Sequence, residues 1–284
     1  MDVVQLVKEG KCSYEWSEVI SEYKGYKLHI KVFRDAMKFD DIPAMRWDFT
    51  PIANDDRKFN GVRLPASAYQ LQQIADLLGC MLLTPKVIDL IWLQAELKFD
   101  AVTRVMGQIV ANSNITDVHT EIEKNIEALG GDDGSKLVSC VGKYWCLFNG
   151  TDKNRYGKTT ACNYGWFRHD AIYNAVTTGL KCWQGPGFRH NYSHFDPSQT
   201  IRLMHPIAKL IDTDGSEAHV DLREIAGLYH LAPLFNHSGR LTYLRQLGPA
   251  QLEPMDVKSP WDYTIMIRPQ KKLLQKTLEL MRIM

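Results

Sequence analysis

No stretch of this 284-residue chain approaches the run of about 18 apolar residues that a membrane helix needs, so a transmembrane span is not expected. Nothing after Met1-Asp2 resembles the basic start and apolar run of a secretory leader. The six cysteines (Cys12, Cys80, Cys140, Cys146, Cys162 and Cys182) include no C-x-x-C pair, which leaves reduced, buried thiols as the expectation. An excess of one charge is also missing. Lys and Arg number 34 against 33 Asp and Glu, a net charge of +1, so there is no broad positive field for nucleic acid or anionic lipid. The phosphate-binding G-x-x-x-x-G-K-[ST] loop, the dinucleotide G-x-G-x-x-G turn, the G-x-S-x-G elbow and the H-E-x-x-H helix are all absent. Nucleotide hydrolases, dinucleotide oxidoreductases and the common serine and zinc hydrolases therefore lose support. Neither an internal repeat nor a low-complexity segment is present. The expected location is a cytoplasm, or a virion if the chain is phage-encoded.

Hydrophobic residues at 45% and charged residues at 24% describe a chain able to bury a substantial core without staples. Residues 13–22 suggest a short amphipathic helix, followed by a strand in which Tyr26, Leu28, Ile30 and Val32 alternate with polar residues. A second strand is expected over residues 46–52. Ala68, Leu71, Ala75 and Leu78 share a helical face that ends at Gly79, and Thr84-Pro85 opens another helix carrying Ile88, Ile91, Trp92 and Ala95. A third helix starts at Thr116 or Asp117 and buries Val118, Ile122 and Leu129, with His119, Glu123 and Lys124 outward, until Gly130-Gly131. Residues 137–148 and 160–167 read as neighbouring antiparallel strands joined by the polar loop 149–158. A strand over 200–211, a turn at 212–215, a short helix over 222–231, a strand over 263–267 and a helix from 270 onward complete the chain, the last with Lys271, Lys272 and Lys276 on a solvated face. This order predicts an α+β fold, with N-terminal and central helices packed on a mostly antiparallel sheet. Its expected parts are a small N-terminal α/β element (1–45), a main α+β domain (46–248) and a C-terminal strand and helix extension (249–284).

The run from Gly187 to Arg202 concentrates His190, His194, Asp196, Ser198, Arg189 and Arg202 after the turn Gly185-Pro186-Gly187. It reads as a loop that delivers functional groups to the start of a strand. The spacing His190-x-x-x-His194-x-Asp196 suits zinc or non-haem iron, with His205, His219, His230 and His237 as further candidates. Without metal, His190 or His194 is a general base oriented by Asp196, with Ser198 or a substrate hydroxyl as its target. The plainer reading makes Asp196 and Ser198 a locally bonded turn while the histidines pack on Tyr192 and Phe195. Cys80, just before a helix N-cap, is a weaker nucleophile candidate because Met81, Leu82 and Leu83 surround it. Gly142-Lys143-Tyr144-Trp145 and Asn163-Tyr164-Gly165-Trp166 interrupt strands with glycine and aromatics, which line either a pocket or a core ridge.

Arg63-Leu64-Pro65, Gly79-Cys80-x-Leu82-x-Thr84-Pro85-Lys86-x-x-Asp89-x-Ile91-Trp92, Gly142-Lys143, Asn163-Tyr164-Gly165-Trp166, His190, Asp196-x-Ser198 and Arg202-Leu203 together resemble an uncharacterised family of bacterial and bacteriophage proteins. The resemblance covers about Trp47 to about Arg245. The chain departs from it with Pro197 where the pattern has tyrosine and Leu83 where it has proline. The resemblance implies no known activity. It does imply that Lys143, Trp166, His190, Asp196, Ser198 and Arg202 share one site.

The resulting expectation is a hydrolase acting on a small or cell-wall-derived polar substrate, without a cofactor. His190, Asp196 and Ser198 are its catalytic residues, and Lys143, Tyr164, Trp166 and Arg202 bind substrate. Two alternatives stand beside it: a non-catalytic virion or host-interaction protein, and a zinc- or iron-dependent enzyme using His190, His194 and Asp196.

Overall fold

The computed structural model describes residues 1–46, 48–102, 116–148, 160–168, 173–174, 181–241 and 244–245. The strand expected over 263–267, the helix from 270, the loop 149–158 and the extension 249–284 lie outside these residues.

After helix α1 (Val3–Lys8), strands β1 (Trp16–Tyr23) and β2 (Tyr26–Phe33) form a hairpin paired in register from Trp16↔Phe33 to Tyr23↔Tyr26. The turn residues Lys24 and Gly25 both have positive φ, +49° and +83°, the geometry whose twist matches flanking strands. Residues 16–22 are therefore strand, not the helix expected over 13–22. Val19 and Ser21 are buried while Trp16, Glu18, Ile20 and Glu22 are exposed, a period of two rather than a helical one. Among the described residues of 46–52 there is an isolated bridge at Pro51 but no strand. Arg46 N–H donates to Thr50 O at 2.8 Å and Phe49 takes φ +66°, which closes the segment into a tight loop.

Helix α2 (Ala68–Leu78) begins at a reciprocal cap, in which Gln70 N–H donates to Ser67 Oγ at 3.2 Å and Ser67 N–H donates to Gln70 Oε1 at 3.0 Å. It ends at Gly79, whose φ of +64° costs glycine little. Strand β3 (Met81–Leu82) leads to α3 (Pro85–Gln94), capped by Thr84 with proline at its first position. Helix α4 (Thr116–Ala128) buries Val118, Ile122 and Ile126. Leu129, expected inside, is exposed, and His119, expected outward, turns toward Arg63, whose Nη1 lies 3.1 Å from His119 Nδ1; Glu123 stays exposed as expected while its Oε1 reaches the same Nη1 at 2.5 Å. The buried Arg63 guanidinium also grips Asp35 with two N–H groups, which adds a charged contact beside the apolar face of α4.

Strands β4 (Lys143–Trp145), β5 (Thr160–Phe167), β6 (Tyr173–Asn174) and β7 (Lys181–Asn191) make an antiparallel sheet ordered β4-β5-β7-β6. The Gly187 region is thus part of a long strand, where a loop was expected. The stretch 200–211 splits at Pro206, which has no N–H to give, into β8 (Leu203–Met204) and β9 (Ile207–Ile211). Both pair with β2, through Met204↔Val32 and Lys209↔His29. Strand β10 (Glu217–Asp221) pairs with β9 and β3 with β8. The N-terminal hairpin thereby shares a sheet with residues 203–221, across the boundary expected at residue 45. Of the helix expected over 222–231, only α5 (Leu222–Ile225) forms, followed by a single tight turn at Ala232–Leu234. The molecule is α+β, and no helix among the described residues is long and apolar enough to cross a membrane.

Two polar contacts hold pieces of this frame. At the outer edge of β1, the Gln94 side chain accepts from Ile20 N–H at 2.9 Å and donates to Ile20 C=O at 2.7 Å. In the core, Arg202 is 0% exposed and its guanidinium donates to Phe33 O at 2.7 Å, Val138 O at 2.8 Å, Arg34 O at 2.6 Å and Tyr144 Oη at 3.3 Å. Three backbone carbonyls from two distant segments depend on this one side chain. Arg202→Met is expected to lower unfolding free energy by about 3 kcal/mol or more, because those acceptors would be left buried and unpaired. Urea denaturation checks this, and a loss below about 1 kcal/mol would contradict it.

Candidate functional site

The site is built where the segment 194–200 lies along β4. Lys143 N–H donates to Ser198 O at 2.8 Å, and Lys143 pairs in parallel with Gln199. The approach is close enough to require glycine at 142, since a Cβ there would stand 2.5 Å from Ser198 O and 2.8 Å from Thr200 Oγ1. Across β4 the register sets Lys143 opposite Gly165 and Trp145 opposite Asn163, and across β5 it sets Asn163 opposite Gly187 and Ala161 opposite His190. Paired residues share a sheet face, so Lys143, Asn163 and His190 are carried on the same side.

A bulge then brings in Trp166. Gly165 and Trp166 have φ of +111° and +65°, and the β5–β7 register shifts between Asn163 and Gly165. Strict alternation fails here: Tyr164 and Phe167, three apart, lie edge to face at 6.1 Å, while Trp166 turns back beneath Lys143, whose Nζ is 5.8 Å from its ring centroid.

Asp196 is the hub. Its Oδ2 accepts from Lys143 Nζ at 2.8 Å, and its Oδ1 accepts from Ser198 N–H at 2.9 Å and from the Ser198 hydroxyl. Its own N–H donates to Gln199 Oε1 at 3.0 Å. His194 Nε2 stands 3.5 Å from Oδ2, an electrostatic contact longer than a well-made hydrogen bond. The His190 ring stacks on His194 with centroids 3.9 Å apart and planes inclined by 6°. Burial raises the Asp196 carboxyl, but His194, Lys143 and Ser198 together outweigh it and hold the group well below the usual carboxylate range. Burial, then the neighbouring His194 and Lys143, push His190 down to about 4, so its ring is neutral at pH 7.

The expected residues divide accordingly. Lys143, Asp196, Ser198 and Trp166 converge, with His190 joined to them through His194. Asp196 faces His194, one of the two histidines expected as its partner, and reaches His190 only through the stacked His194 ring. Ser198 is 1% exposed with its hydroxyl committed to Asp196, which makes it part of the turn and not an accessible nucleophile. Trp166 is 7% exposed and lies under Lys143, so it offers no open face to a substrate. Tyr164 points through the sheet to α3, where its hydroxyl donates to Asp89 Oδ1 at 2.6 Å. Arg202, expected to bind substrate, lies wholly inside on the core carbonyls described above. The Cys80 thiol is pushed up to about 12 by burial, which leaves it inert.

The metal-binding alternative finds little support in this geometry. Parallel stacked imidazoles do not converge their nitrogens on a point, and both Asp196 oxygens already hold partners. Among the described residues no group of three or more His, Cys, Asp or Glu is arranged to hold a metal ion.

Two residues of the site were not picked out from sequence. Gln199 is 0% exposed and Asn163 is 1% exposed. Gln199 Nε2 and both amide atoms of Asn163 have no protein hydrogen-bond partner, nor do Thr200 Oγ1 and His194 Nε2. Leaving such an atom unsatisfied costs about 1–3 kcal/mol, and of these residues Gln199 and His194 lie directly on the Asp196 hub. The signal was present in the motifs themselves, as an amide inside each.

The histidine shift makes a pH prediction. A group held at about 4 when folded, against about 6.5 when unfolded, takes up its proton on unfolding, so stability falls as pH drops from about 6.5 toward 4. His119, also held at about 4 by burial and then Arg63, adds to the same window. Asp196 and Asp35, both depressed, contribute stability that is present above about 4 and lost at lower pH. Thermal melts of His190→Gln are expected to fall less between pH 7 and 4.5 than those of the wild type, with similar losses below pH 4. An unchanged slope would contradict the assignment.

No family model matches the chain, no curated protein matches its sequence, and no solved structure matches its fold.

Proposed function

We propose that the chain is a hydrolase of a polar substrate, with a cell-wall fragment as the favoured class, and that His194 is its general base. The observation that carries this reading is the chain of contacts from Lys143 to Asp196 to His194. A buried ammonium keeps the carboxylate ionised, and the carboxylate faces one edge of an imidazole whose side chain is 36% exposed. That is the arrangement in which a histidine, polarised from one side, takes a proton from water or a substrate hydroxyl on the other. The long 3.5 Å contact is in keeping with catalytic hydrogen bonds that tighten only when substrate is bound.

His190 has a separate role in this scheme. Neutral and stacked on His194, it restricts that ring's rotation without competing for the proton. Ser198 and the backbone turn hold Asp196 in place, so water or a substrate hydroxyl is the nucleophile and no covalent serine intermediate forms. The reading is compatible with a cytoplasmic or virion setting.

A muropeptide and ester-substrate screen tests it. Turnover by the wild type is expected to fall about 100-fold or more in His194→Ala and Asp196→Asn, while His190→Gln keeps most of it. Equal turnover in the wild type and both dyad variants would remove the catalytic assignment. Absence of turnover together with association with virus particles would favour the non-catalytic alternative.

A further inference from the structure

Two of the six cysteines meet at the end of β4. Cys146 directly follows that strand and Cys162 lies on β5, so one step past Trp145↔Asn163 in the register sets them opposite each other. Cys146 N–H donates to Cys162 O at 3.0 Å, and the two sulfurs stand 3.6 Å apart, in direct contact. Cys146 is 0% exposed and Cys162 1%. Alternation puts them on the side of the sheet away from Lys143, the side from which Tyr164 reaches Asp89, so they take no part in the Asp196 hub. Other sulfurs have different neighbours: Cys140 Sγ accepts from Phe167 N–H at 3.1 Å, and Cys80 Sγ donates to Leu78 O at 3.5 Å. Opposed residues of an antiparallel pair have Cα atoms about 4.5–5.5 Å apart, inside the span of about 4.4–6.8 Å that disulfides bridge. Turning the two side chains inward therefore closes the gap without parting the strands.

We propose that Cys146 and Cys162 form a redox-active pair that closes to a disulfide across β4 and β5, with a small disulfide of the glutathione class as oxidant. One thiol, as its thiolate, attacks a sulfur of the oxidant and releases one glutathione. The second cysteine then attacks the mixed disulfide and releases the other. The oxidant's S–S bond and two protein S–H bonds break, one protein S–S bond forms, and both protons end on the two glutathione thiols. Sulfur contact makes the second step intramolecular, so closure outruns lasting attachment of glutathione. Burial, and then Cys162, push the Cys146 thiol well above its ordinary range, so the first step waits on a brief parting of the strands and is slow. The closed bond ties off residues 147–161 and pins the strand that carries Lys143 three positions from that lysine. This pair stands independently of the hydrolase reading.

The test uses the full-length protein in two arms, with mixtures of oxidised and reduced glutathione in both. In one, the native protein is incubated overnight; in the other, reduced and urea-unfolded protein is refolded in the same buffer. Samples are quenched with acid, alkylated and digested with trypsin, which cuts at Lys153, Arg155 and Lys158 and so separates the two cysteines. A Cys146–Cys162 linked peptide is expected to dominate the disulfides of the folded fraction in both arms, to vanish with dithiothreitol and in Cys162→Ala, and to accompany a melting temperature higher by about 5 °C or more. The proposal is overturned if the folded fraction of neither arm holds that peptide, if other cysteine pairs link as often, or if linked and reduced protein melt together. The peptide is read on the wild type, so a variant that fails to fold leaves the test decisive. Should refolding yield no folded protein, the native arm decides alone.

Discussion

One guanidinium organises this molecule. Arg202 lies wholly inside, and its hydrogen bonds collect the end of β2, the segment before β4 and the Tyr144 hydroxyl into one point. A buried arginine with so many oxygen acceptors is tolerable only because nearly every N–H finds one, and the segments that supply them are fixed in the process. Residues 196–200 lead directly into it. The hub carboxylate therefore sits six positions along the chain from this buried, four-bonded side chain.

The same logic of shared polar groups recurs at the site. Asp196 receives an ammonium, a hydroxyl and a backbone N–H, and offers one more edge to His194. Each partner stabilises the ionised form, and together they overcome the cost of burying it. The bulge at Gly165 and Trp166 contributes a flat wall under the lysine, so the ammonium is confined between a carboxylate and an aromatic face. Confinement of that kind reduces the freedom of a long side chain and makes the hub's geometry reproducible.

Local signals were legible where one residue type settles a backbone choice. Ser67, Gly79 and Thr84-Pro85 mark helix ends that occur where expected, because caps are decided within a turn. The cluster of His194, Asp196 and Ser198 was legible for the same reason. What could not be seen is decided across the fold. Arg202 looked like an anion binder because arginine next to a histidine-rich run has that chemistry, yet long-range carbonyls claim it. Tyr164 and Trp166 lie two apart and were both assigned to one wall, but a left-handed bulge between them sends them to opposite sides. Residues 16–22 have enough polar residues at helical spacing to mimic an amphipathic helix, and only pairing with β2 selects the strand. His119 looked solvated because the Arg63 that draws it in is more than fifty positions away.

The Gln94 amide that bonds both polar groups of Ile20 has a meaning beyond local satisfaction. Strand β1 forms a border of its sheet, and Trp16 and Ile20 leave apolar surface exposed along it. Such a border is a template for strand-by-strand growth into aggregates. A carboxamide projecting from the last turn of α3 occupies the middle of that template with the same donor and acceptor pair an incoming chain would present. One glutamine thus acts as a plug against fibre-like self-association, and it keeps an eight-residue border from being recruited by a neighbouring chain.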